Sequence, residues 1–181
     1  RVIDRARHQL SKRDTAMGES SPGTGYILLA HAEPDSVATL TAIMADRVHQ
    51  FRTASTGRSA LRAARDVPTD LLLLASELPD LDGFELCRQL KASAETSAIP
   101  ILFVVSDASA ESIARIFAVG GTVFLSEPFH PEEVVGRVEV SLALAAARKQ
   151  IGEKDAQLEQ ETATRLHLES QLRTAEKSGL S

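Results

Sequence analysis

Cysteine is nearly absent from this chain: Cys87 is the only one. No internal disulfide can form, and no cysteine-rich metal site exists. Cys87 lies in an apolar helical stretch and reads as a small core residue. Long apolar runs are lacking too. None could span a bilayer and no signal peptide is visible, so the cytoplasm is the simplest compartment. A basic excess is also missing: the net charge is −5 and the pI about 5.6. No bulk attraction for nucleic acid or an anionic membrane follows from that balance. Basic residues gather in residues 1–13, with Asp4 and Asp14 diluting them, and read as a solvated helix face. The chain begins with Arg1 rather than methionine, which reads as a piece of something longer.

What is present suits one domain with extensions. The chain has 181 residues, of which 43% are hydrophobic, enough for a buried core. Residues 1–17 are charged and helix-permissive, and residues 18–25 (Gly-Glu-Ser-Ser-Pro-Gly-Thr-Gly) read as a flexible linker. From Tyr26 onward strand and helix patterns alternate five times. Strands are expected at 26–30, 49–53, 71–75, 101–105 and 122–125. Helices are expected at 34–47, 56–65, 83–92, 110–119 and from Pro131 onward. Val37, Leu40, Ile43 and Met44 share one face of the first helix. Phe84, Leu86, Cys87 and Leu90 are the core candidates of the third. Alternating β and α units predict a parallel sheet with helices on both faces.

The last helix does not stop where a domain of 26–147 should end. No proline follows Pro131 up to Lys177, and the only glycines there are Gly136 and Gly152. Leu144, Ile151, Leu158, Arg165 and Leu172 recur every seven residues, with Ala147, Lys154, Glu161, Leu168 and Ala175 as the companion column. One column is mostly apolar and the other mostly is not. The pattern predicts a two-stranded coiled coil over 148–181, continuous with the domain's last helix, and a homodimer through Leu144, Ile151, Leu158 and Leu172. A single charged helix is the competing reading.

Four motifs stand in order at domain spacing. They are Pro68-Thr69-Asp70-Leu71-Leu72-Leu73-Leu74, Leu78-Pro79-Asp80-Leu81-Asp82-Gly83-Phe84-Glu85-Leu86, Ile99-Pro100-Ile101-Leu102-Phe103, and Gly120-Gly121 followed by Phe124-Leu125-Ser126-Glu127-Pro128-Phe129. Together they resemble the receiver domain of two-component response regulators, in a degenerate, pseudo-receiver form. The resemblance covers roughly residues 26–147. It implies an α/β, flavodoxin-like (βα)5 fold whose five parallel strands run in the order 2-1-3-4-5. It also implies a cis bond between Glu127 and Pro128, an isomer that costs X–Pro bonds only about 0.5–1 kcal/mol.

The family's chemistry rests on five side chains, and the matching positions here all differ. His31 and Ala32 stand where two acidic residues hold Mg²⁺. Ala75 replaces the phosphoaccepting aspartate, Val105 a hydroxyl residue, and Glu127 a lysine. A methyl group cannot accept a phosphoryl group. Mg²⁺ prefers oxygen ligands in octahedral array, and phosphoryl transfer needs positive charge on the equatorial oxygens. The positions read as an abandoned phosphorylation pocket, with no catalytic residue, cofactor or metal.

Residual chemistry has few carriers. His31, Glu33, Glu77 and Glu127 gather near the carboxyl edge of the sheet, without local metal-ligand spacing. A His31–Glu127 hydrogen-bonded pair is the sharper expectation. Ser106 and Ser126 read as loop hydroxyls. His8 lies in a stretch faintly similar to a kinase phosphoacceptor box and reads as an exposed helical histidine. Residues 1–14 resemble the last helix of another receiver, and residues 168–177 the helix leading into a kinase dimerisation domain. The leading reading is a non-enzymatic, phosphorylation-independent signalling and protein-interaction module within a multidomain kinase or regulator. Its alternatives are a passive dimerisation cap on a coiled coil and a rebuilt metal-binding pocket.

Overall fold

The computed structural model describes residues 25–47 and 49–178. The expected N-terminal helical segment of residues 1–17, its His8, and the linker up to residue 24 lie outside the described residues.

Five short strands form one parallel sheet. They are β1 (Tyr26–Ala30), β2 (Gln50–Ala54), β3 (Leu71–Ala75), β4 (Ile101–Val105) and β5 (Val123–Ser126), in the order β2-β1-β3-β4-β5. Helices α1 (Pro34–Ile43), α2 (Gly57–Asp66), α3 (Gly83–Ala92), α4 (Ala110–Ala118) and α5 (Pro131–Ser178) alternate with them. This is the flavodoxin-like order that the resemblance implies.

Strand side chains point alternately to the two faces, so each run of leucines feeds two cores. Leu28, Leu72, Leu74, Phe103 and Val105 pack beneath Ala60, Ala64, Leu86, Leu90 and Ile116 of α2, α3 and α4. Ile27, Leu29, Leu73, Val104 and Leu125 pack beneath Leu40, Met44, Val134 and Val138 on the α1 and α5 side. Strands β3 and β4 are buried at every residue, as strands covered on both faces should be. Cys87 is fully buried, and its thiol donates to the Val119 carbonyl at 3.2 Å. Burial pushes that thiol up to about 11, so it is a protonated core residue.

Boundaries moved where the pattern was mixed. Helix α1 ends at Ile43 rather than at residue 47. Beyond it, the Ala45 and Arg47 N–H groups bond only three residues back, to Ala42 and Met44, which tightens the chain into turns. Edge strand β2 starts at Gln50, one residue late, because Gln50 pairs with Tyr26. The other edge strand, β5, is shifted by one for the same reason: Val123 pairs with Leu102. Thr56 is not the first residue of α2 but its cap, in a reciprocal capping box with Ser59.

Helix α5 has 48 residues, roughly 72 Å at 1.5 Å per residue. Val134, Val138 and Ser141 bury its first turns against the sheet. Beyond Ala145 every side chain described is exposed. None of the helices described is long and apolar enough to cross a membrane.

Candidate functional site

The carboxyl ends of β1, β3, β4 and β5 open into a cleft of about 340 Å³. Its lining includes His31, Ala32, Ala75, Val105 and Glu127, five positions brought together from separate segments. Ala75 and Val105 are buried and set two apolar side chains at the strand ends. The cleft edge is held by backbone. Ser76 N–H bonds to Val104, and Glu127 N–H to Val105. The Glu127–Pro128 bond is cis, as expected.

Gly83 fixes the loop after β3. A Cβ there would lie 2.1 Å from the Ala75 carbonyl oxygen, so only glycine permits this approach. The acidic residues of that loop serve as caps. Asp82 accepts the Phe84 N–H at the start of α3, at 2.8 Å. Asp80 reaches back to α2 and accepts the N–H groups of Gly57 and Arg58 at 2.6 and 3.1 Å. Loss of water raises the Asp80 carboxyl. Bonds from Arg58, Gly57 and its own N–H outweigh that effect and hold it below the usual carboxylate range.

The expected His31–Glu127 hydrogen bond is not made. His31 Nε2 lies 4.0 Å from Glu127 Oε1, close enough for charge interaction but too far for a hydrogen bond. Ser36 Oγ takes that place and donates to Glu127 Oε1 at 2.9 Å. Ser36 is buried in the first turn of α1. No sequence motif singles it out, and its partner lies 91 residues away. The other ring nitrogen, His31 Nδ1, accepts the Glu33 N–H at 3.1 Å. The neutral ring therefore carries its proton on Nε2, facing the cleft.

Burial lowers the His31 imidazole below its ordinary value of 6.5, and the Glu127 and Glu33 carboxylates oppose this only in part. The group binds its proton less well folded than unfolded. Its contribution to stability is therefore complete above about pH 6.5 and is lost as pH falls through the lower, folded value. Denaturant titrations at several pH values should show the wild type losing stability below pH 6.5 faster than His31→Asn. Parallel curves would contradict the burial of the ring.

The cleft's donor set does not match Mg²⁺. Ala32, Ala75 and Val105 present methyl groups, His31 a ring nitrogen, and of the lining carboxylates Glu33, Glu77 and Glu127 the last is engaged by Ser36. Among the described residues, no three His, Cys, Asp or Glu side chains converge as metal ligands.

The response regulator receiver domain family matches residues 27–139. The chain belongs to that family. This receiver domain is 31% identical over 136 residues to the transcriptional regulatory protein BaeR of Escherichia coli O6:H1, covering 74% of this chain and 55% of that protein. It is 30% identical over 117 residues to protein PilH of Pseudomonas aeruginosa, covering 65% of this chain and 97% of PilH. The chain thus spans about half the length of the transcriptional regulator and nearly all of PilH. Among solved structures, a protein described as a response regulator from Chloroflexus aurantiacus J-10-fl superposes with a TM-score of 0.64 at 26% identity. That match covers 66% of this chain and 98% of the other. The receiver domain of sensor histidine kinase PA1611 from Pseudomonas aeruginosa PAO1 has the same fold, at a TM-score of 0.62 and 22% identity, over 66% of this chain and 98% of its own. That structure holds a magnesium ion in its active-site cleft. The chain is therefore a receiver-domain signalling module of the two-component type.

Proposed function

We propose that this receiver domain signals without being phosphorylated, and that it passes partner binding or conformation to a paired helix within a larger protein. The observation that carries the proposal is the content of one cleft: His31, Ala32, Ala75, Val105 and Glu127 together. Nothing there can accept a phosphoryl group at the Ala75 position. Glu127 places negative charge where the family's reaction needs positive charge. The receiver fold is otherwise kept, which suits a domain retained for its surface and its last helix.

Residues 26–147 act in this reading as the folded unit, and the part of α5 beyond Ala147 as the helix that receives its output. The apolar column Leu144, Ile151, Leu158 and Leu172 is exposed along that helix, which supports pairing with a second copy.

Thermal melting with and without millimolar Mg²⁺ tests the first half. Ligand stabilisation follows RT ln(1 + [L]/Kd), so a cleft with no ordinary affinity for the ion should leave the midpoint within about 1 °C. A rise of several degrees would mean that the cleft still assembles a cation site, and the reading would fail.

A further inference from the structure

The chain enters the domain at the sheet edge opposite the cleft, and a histidine stands at that entrance. His49 lies just before β2 with only 4% of its side chain exposed. Its Nδ1 accepts the Gly25 N–H at 3.3 Å, and its Nε2 lies 3.2 Å from Glu139 Oε1 on α5. The neutral ring with its proton on Nε2 satisfies both contacts at once. Gly25 is held on two further sides. Its carbonyl accepts the Gln50 N–H at 3.0 Å. A Cβ on Gly25 would lie 2.9 Å from Leu142 Cδ2, so the backbone is seated directly on α5. Arg47 adds a longer ion pair to Glu139, at 3.9 Å.

The place where this joint grips the helix matters. At about 100° per residue, Glu139 and Leu142 flank the buried Val138 side, whereas Val140 and Leu144 lie roughly opposite. Val140 is 67% exposed and Leu144 46%. The joint therefore holds α5 from behind the apolar column, one turn before the helix leaves the domain.

We infer that His49, Gly25 and Leu142 form a mechanical joint between the chain's entry and its exit helix, along a path that bypasses the cleft. A displacement of the segment preceding Gly25 then reaches α5 directly. An abandoned phosphorylation pocket need not carry the signal for the helix to receive one. The inference stands on these contacts, independently of whether the cleft is inactive.

Amide hydrogen exchange on the full chain tests it. Gly25→Ala adds a methyl at the entrance and must displace Leu142. Exchange in residues 139–150 should rise about five- to thirtyfold, the range expected for losing one or two hydrogen bonds, while β3 and β4 keep their protection. Leu142→Ala should relieve most of that effect in the double variant. Glu139→Ala should reproduce it, and Glu139→Gln, which retains an acceptor oxygen, should largely restore protection. These two substitutions avoid the buried ring, so the result does not depend on a His49 variant folding. Unchanged exchange in α5, or a uniform loss across all five strands, would overturn the inference in favour of ordinary packing.

Discussion

Acetyl phosphate with Mg²⁺ should leave the mass of this chain unchanged, and Ala75→Asp should not restore labelling. The first result follows from the methyl side chain at position 75, which has no nucleophilic oxygen. The second is the sharper test, because it separates one missing atom from a missing environment. An aspartate placed at 75 would face His31, Ala32 and Glu127 across the same cleft. None of these supplies the positive charge that the phosphoryl oxygens require, and Ser36 already engages Glu127. Removing one charge-stabilising group from a preorganised site commonly costs about 10²–10³ in rate. Several are missing here, so the single variant should stay below detection by intact-mass measurement. Combining Ala75→Asp with His31→Asp, Ala32→Asp, Val105→Thr and Glu127→Lys should bring labelling back if those positions are correctly matched. A phosphoryl adduct on the wild type, or ready labelling of Ala75→Asp alone, would overturn the proposed phosphorylation independence.

The parts of this molecule that sequence made legible are those governed by burial. Strands β1, β3 and β4 were readable to the residue because interior strands leave unbroken apolar runs such as Leu71–Ala75. Edge strand β2 mixes exposed, half-buried and buried positions, and β5 is half-buried except at Leu125, so their patterns do not fix a register and each is shifted by one. Met44 continued the apolar face of α1 and suggested more helix. It is buried as that face requires, but as the residue closing the helix. The cleft divides in the same way. Five of its residues follow from where the receiver resemblance puts the strand ends. Ser36 does not, since a serine in a helix's first turn ordinarily reads as surface. Its role depends on the loop after β5 returning to α1. Asp80 was visible in its motif, but its bonds to Gly57 and Arg58 depend on how two loops meet. The apolar pattern puts His49 inside a strand, whereas it sits just before β2, where it contacts α5.

Truncation at Ala147 should turn a weak dimer into a monomer. Helix α5 leaves the domain carrying Ile151, Leu158 and Leu172, each at least 60% exposed. Water disfavours such a stripe, and pairing with an identical helix would bury it. The stripe starts earlier than the sevenfold pattern alone indicated. Val140 is 67% exposed and lies four residues before Leu144, so a seam on this stripe would reach back onto the domain itself. A parallel pair would place the two domains side by side at one end. Lys154, Glu161 and Arg165 interrupt the seam, which limits its strength. Gly152 weakens the helix by about 1 kcal/mol relative to alanine. A weak seam suits a transmitting element, because two nearby rotations or registers then differ little in free energy. Light scattering over a concentration series is the direct measurement. The full chain should move from monomer to dimer, Gly152→Ala should shift that transition to lower concentration, and Ile151→Asp with Leu158→Asp should abolish it by forcing charge into the seam. If the truncated chain and the double aspartate variant dimerise as well as the parent, the contact lies on the globular face, and α5 is a single helix awaiting a different partner.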